Sequence, residues 1–144
     1  MALINRSAHA VSGKMRAIAR QREGFTHDVK VGNHKLTADE PESQGGQDMG
    51  PSPQELLAAS LASCTAVTME MYAQRKRWDV SGLEVDCRYT PAERGCPTRF
   101  ELVMRMPAHL SEEQVERLRV IAAKCPVHRT LEGEVAFDER VELS

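Results

Sequence analysis

The chain has 144 residues, 19 Lys and Arg against 21 Asp and Glu, a formal net charge of −2, and four cysteines. That length suits a single domain over residues 1–144, with enough chain to bury a core without disulfide staples. The balanced charge gives no basic field, which argues against nucleic acid as a partner. The first ten residues lack the apolar core of a signal peptide, and no apolar run approaches the roughly 18 to 20 residues of a membrane span. The expectation is a cytoplasmic protein with no membrane partner. In a reducing compartment, cysteines are more often reactive, metal-binding or plainly buried than paired in a disulfide framework.

In chain order, residues 15–20 fit a strand or a helical turn equally. Val29 and Val31 alternate with Asp28 and Lys30, and Leu36 and Ala38 follow across Gly32 and Asn33, predicting short strands. Residues 39–50, rich in Gly, Glu, Gln, Asp and Pro, predict an exposed loop. Gly45, Gly46 and Gly50 precede a helix as in a phosphate-binding loop. No Gly-Lys-Ser/Thr follows, however, and Pro51 and Pro53 remove two backbone donors.

The clearest element is a helix from Ser52 to about Lys76. Ser52 suits the N-cap, Pro53 the first helical position, and Glu55 completes a Ser-x-x-Glu capping box. Leu57, Leu61, Cys64, Thr68 and Met71 fall along one side, and few charges appear before Glu70. Such a helix is expected to be buried nearly all round, more than one small sheet can cover, so a second subunit is the natural cover.

Two alternating strands follow. Leu83, Val85, Cys87 and Tyr89 face one way, and Phe100, Leu102, Met104 and Met106 supply the matching inward set. A second helix starts at Ser111 with Gln114 completing a capping box. Its apolar face is Val115, Leu118, Ala122 and Cys125, and Pro126 is expected to end it. A last strand is expected where Val135, Phe137 and Val141 alternate with Glu134, Asp138 and Arg140. The order is α+β with antiparallel hairpins.

The chemistry lies in the cysteines. Cys64 is about three turns into its helix, too far from that N-terminus for the dipole to ionise it. Burial alone would leave it inert, so a reactive Cys64 needs a cation from elsewhere in the fold. A core thiol and a reactive thiol both fit the residues. Cys125, directly before Pro126, stands where local opening is cheap, and its packing and functional readings are equally open. Cys87 occupies an inward strand position and reads as core, whereas Cys96 lies in a turn composition. Cys125-x-x-His128 has ligand-like spacing, but no second pair of that kind completes a metal site.

Two motifs together carry a resemblance. Gly50-Pro-Ser-Pro-Gln-Glu-Leu-Leu-Ala-Ala-Ser-Leu-Ala-Ser-Cys64-Thr, followed by Lys124-Cys-Pro-Val-His-Arg-Thr-Leu131, resembles the OsmC/Ohr family. These are the osmotically inducible and organic hydroperoxide resistance proteins. The Cys125-Pro-Val-His-Arg form is most similar to the OsmC-like branch called YhfA-like, and the resemblance runs from about residue 14 onward. It implies an intertwined α+β homodimer around a long central helix, acting on hydroperoxides with no metal and no bound cofactor. Position by position, Cys64 resembles the peroxidatic cysteine and Cys125 the resolving one. A dithiol reductant, in Ohr proteins a dihydrolipoyl protein, would restore the pair.

Two departures from the family matter. The family holds its thiolate with an arginine from the N-terminal hairpin and a glutamate ten residues before the cysteine. Here that position is Gln54, and Glu55, one later, would point to the far side of the helix from Cys64. The hairpin offers Arg20 and Arg22, and His128 and Arg129 beside Cys125 could compensate for the glutamate. A thiol-dependent hydroperoxide reductase is the leading expectation. The alternatives are a binding module for a small apolar molecule at a dimer interface and an acyl-transfer enzyme using Cys64 and His128.

Overall fold

The computed structural model describes residues 14–144, which form two compact units, one ending at Pro53 and one running from Gln54 to Ser144. The reading of the first ten residues lies outside the described residues. The architecture is α+β, with antiparallel sheets and one long helix, as expected.

The first unit is a three-stranded antiparallel meander, β1 (Ala17–Glu23), β2 (Thr26–Val31) and β3 (His34–Ala38). The ambiguous stretch around residues 15–20 is therefore mostly strand. Arg20 pairs with Asp28, and the register shifts between Gln21 and Glu23, so that Arg22 falls at a bulge. A bulge re-aims the side chain it carries, and Arg22 turns onto Asp28.

The loop after β3 is tighter than its composition suggests. Asp39 is buried at its root, and a short 3-10 turn spans Glu42–Gln44. The Asp39 carboxylate accepts from Thr26 Oγ1 at 2.7 Å, from the Glu40 N–H at 2.7 Å and from the Met49 N–H at 3.2 Å. A Cβ on Gly46 would lie 1.9 Å from the Glu40 carbonyl oxygen, and one on Gly50 2.1 Å from that of Thr37. These glycines allow backbone to pack on backbone. They need no phosphate to explain them.

The second unit opens with α1 (Pro53–Lys76), followed by the hairpin β4 (Glu84–Thr90) and β5 (Arg99–Arg105). Next come α2 (Glu112–Ala122) and α3 (Pro126–Glu132). Arg77 takes a left-handed φ of 60°, with its N–H bonded to the Gln74 carbonyl and that of Trp78 to Ala73. This Schellman pattern stops α1 within the basic run Arg75-Lys76-Arg77. In α2 the capping box is present in full: Gln114 N–H donates to Ser111 Oγ, and Ser111 N–H to Gln114 Oε1.

The core of this unit joins Met69, Tyr72 and Ala73 of α1 to Leu118, Ile121 and Ala122 of α2. Val85 and Met104 pack against it from a cross-strand pair of the hairpin. Farther along the hairpin, Tyr89 stacks on Phe100 with ring centroids 4.7 Å apart.

Four sequence expectations change. First, α1 is not buried nearly all round within one chain. Its buried residues are Leu61, Thr65, Met69, Tyr72 and Ala73, whereas Met71 is 61% exposed. Second, Pro126 does not end the second helix. That helix stops at Ala122, and Pro126 instead begins α3, a role proline fills because its missing N–H is not needed there. Third, residues 134–144 form no strand, and Val135, Phe137 and Val141 stand exposed. The alternating pattern fits a strand, but none of the described strands pairs with it. Fourth, α1 does reach the length and hydropathy of a membrane span, with a mean of 1.3 over its most apolar window. Its many alanines hold that average up despite interspersed Ser and Thr, and its buried stripe packs on α2 as a core helix does.

Candidate thiol site

Two helices bring Cys64 and Cys125 together. Cys64 projects half-buried from the middle of α1, and Cys125 is fully buried at the N-cap of α3. The Cys64 thiol lies close enough to the Cys125 thiol and to the Val127 backbone N–H for both to shift its ionisation. The next N–H along, that of His128, donates to Cys125 Sγ at 3.4 Å. Both sulfurs thus meet the first turn of α3.

The electrostatics of Cys64 are mixed. Burial pushes its thiol above the ordinary value of 9.0, and the Cys125 thiol adds to the rise through its hydrogen bond and charge. The Val127 N–H and the nearby Thr68 hydroxyl, which donates to the Cys64 carbonyl oxygen at 2.7 Å, pull the other way. The net shift is upward, so these two donors do not by themselves make Cys64 acidic. Neither donor stood out in the sequence. The i+4 spacing of Thr68 was visible, but the approach of Val127 is tertiary.

A cleft of about 530 Å³ opens one helical turn from Cys64, walled by Leu57, Leu61, Phe100, Leu102 and Leu131. His128 and Glu132 form its polar edge, with His128 Nε2 2.5 Å from Glu132 Oε1. This is the i,i+4 spacing of a helical pair, and Glu132 was missed because only the residues next to Cys125 were weighed. The other His128 ring nitrogen, Nδ1, is buried with no hydrogen-bond partner.

The other candidates are placed as follows. Gln54 and Glu55 lie exposed in the first turn of α1, at the far end of the helix segment that leads to Cys64. Arg129 is exposed and makes no side-chain hydrogen bond or ion pair among the described residues. Arg20 and Arg22 belong to the first unit. There Arg22 donates to Asp28 at 2.5 Å and to Thr37 Oγ1 at 3.3 Å. Its hydrogen bond to Asp28 raises its pKa above the ordinary guanidinium value. Cys87 is half-buried in β4, its thiol pushed up by burial and by the charge of Asp86, and Cys96 is exposed.

Comparison with known proteins gives the family. Residues 45–140, two thirds of the chain, match the family described as OsmC-like protein. The chain belongs to the OsmC-like family. No curated protein matches it. Among solved structures, the OsmC-like protein from Mycoplasma pneumoniae is 20% identical with a TM-score of 0.71, over 84% of this chain and 89% of that one. The organic hydroperoxide resistance protein OhrB of Bacillus subtilis is 20% identical with a TM-score of 0.59, over 85% and 93%. An organic hydroperoxide resistance protein from Elizabethkingia anophelis is 21% identical with a TM-score of 0.64, over 84% and 89%. At these identities the structures establish an OsmC-like fold.

Proposed function

We propose that this protein is a thiol-dependent hydroperoxide reductase, with Cys64 as the attacking thiol and Cys125 as the resolving one. The observation that supports it best is the placement of these two thiols side by side. The apolar cleft suits the organic part of a hydroperoxide.

The Cys64 thiolate attacks the terminal peroxide oxygen, the O–O bond breaks, and the alcohol leaves after taking up a proton. Cys64 becomes a sulfenic acid. The Cys125 sulfur then displaces its hydroxyl as water, forming the disulfide. An external dithiol supplies two electrons and two protons to reopen it. The resemblance assigns the stabilising cation to Arg22 or Arg20.

The reading includes a homodimer in a reducing, cytoplasmic setting. The exposed apolar residues Val67 and Met71 of α1, with Phe137, Val141 and Leu143 of the tail, favour a partner surface. The acyl-transfer alternative has less support, because no hydrogen bond links the Cys64 thiol to His128. The binding-module alternative predicts a filled cleft and inert thiols.

Turnover of cumene hydroperoxide with dithiothreitol tests the proposal. Cys64→Ser should abolish turnover. Cys125→Ser should halt the first cycle at a sulfenic acid that dimedone traps on Cys64. Turnover that survives Cys64→Ser would rule the proposal out.

A further inference from the structure

A second groove, of about 790 Å³, shares no lining residue with the thiol cleft. Its walls include Tyr72, Lys76 and Trp78 near the end of α1, and Gln114, Arg117 and Val120 of α2. Arg117 Nε donates to the Tyr72 hydroxyl at 2.9 Å, which fixes the guanidinium over the groove and leaves the phenol proton available to donate. The Tyr72 ring is faced by Arg75, Lys76 and Arg117 at 5.8, 5.7 and 5.5 Å. Trp78 meets that ring edge-on, centroids 5.7 Å apart.

The charge balance at the wall is positive. Among the described residues, neither Arg117 nor Lys76 forms a salt bridge. Of the two carboxylates in the wall, Glu116 is engaged by Arg119 at 2.6 and 2.9 Å, which leaves Glu113 against two cations. The hydrogen bond from Arg117, followed by the charges of Arg117, Lys76 and Arg75, also holds the Tyr72 phenol below its ordinary pKa. Donors and positive charge therefore converge beside an indole and a valine.

We propose that this groove binds a small carboxylate with a flat apolar body. The carboxylate forks onto the terminal nitrogens of Arg117 and accepts from the Tyr72 hydroxyl, with Lys76 adding charge. The apolar body lies against Trp78 and Val120. This site is independent of the thiol chemistry.

Trp78 is the only tryptophan in the chain, so its fluorescence reports on this groove alone. The test titrates the whole protein with benzoate and with its neutral counterpart benzamide at constant ionic strength. Benzoate should give a saturable change, and benzamide should bind at least tenfold more weakly. Arg117→Gln, at an exposed position, should weaken benzoate at least tenfold. Tyr72→Phe, which keeps the ring and its packing, should weaken it several-fold. Cys64→Ser should titrate like the parent. Equal binding of benzoate and benzamide, an unchanged Arg117→Gln titration, or no saturable change would each overturn the proposal.

Discussion

The thiols of Cys64 and Cys125 lie close enough for the second to raise the pKa of the first, although they stand 61 positions apart in the chain. Adjacent backbone N–H groups of α3 act on the pair: that of His128 donates to Cys125 Sγ at 3.4 Å, and that of Val127 lowers the Cys64 pKa. The pair is set by the start of α3 as much as by α1.

This geometry makes the ionisation of Cys64 depend on its neighbour. Burial raises the Cys64 pKa first, and the Cys125 thiol raises it further. Cys125→Ala removes the second contribution and should move the midpoint of Cys64 alkylation by iodoacetamide to lower pH. Peptide mass spectrometry across a pH series measures it, and an unchanged or higher midpoint would contradict the contact.

A cation is the remaining requirement of the proposed chemistry. Arg22→Ala, or failing that Arg20→Ala, should slow Cys64 sulfenate formation at least tenfold, an energy of about 1.4 kcal/mol. Stopped-flow peroxide oxidation of each variant distinguishes them. If both react like the parent, the thiolate is stabilised without the hairpin arginines.

The buried Asp39 predicts the acid limb of stability. Burial would raise its pKa, but hydrogen bonds from the Thr26 hydroxyl and from the backbone N–H groups of Glu40, Met49 and Gln47 outweigh it. The carboxyl therefore titrates below its ordinary 3.8. Its stabilisation is complete above that value and is lost as pH falls through the lower folded value. Asp39→Asn should lower the urea midpoint at neutral pH and flatten its pH dependence below about pH 4. A variant with the parent's acid dependence would show that Asp39 contributes nothing to that limb.

Much of this fold was legible because local signals agreed with tertiary demand. Ser111 and Gln114 gave the start of α2, and the alternation of Val85, Cys87 and Tyr89 gave β4. Other features depended on what lies across space. Pro126 reads as a stop or as a first helical residue, and only the chain after it decides. The alternation of Val135, Phe137 and Val141 pairs with none of the described strands, and alternation alone does not supply a partner. The approach of Val127 to Cys64 and the Arg117–Tyr72 bond, 45 residues apart, leave no periodic trace at all.

The exposed side of α1 makes assembly testable. Met71 at 61% and Phe137 at 82% exposure are costly in water, and a second copy is the proposed cover. Sedimentation at micromolar concentration should give a dimer, and Met71→Glu should shift it toward monomer. A stable parent monomer would contradict the dimer.

The most direct test of the account is intact and peptide mass spectrometry after one equivalent of cumene hydroperoxide. The chain should lose two hydrogens and yield one cross-linked peptide joining Cys64 to Cys125, with Cys87 and Cys96 still free. Protein that stays fully reduced, or that is oxidised at Cys87 or Cys96 while Cys64 remains a thiol, would contradict it.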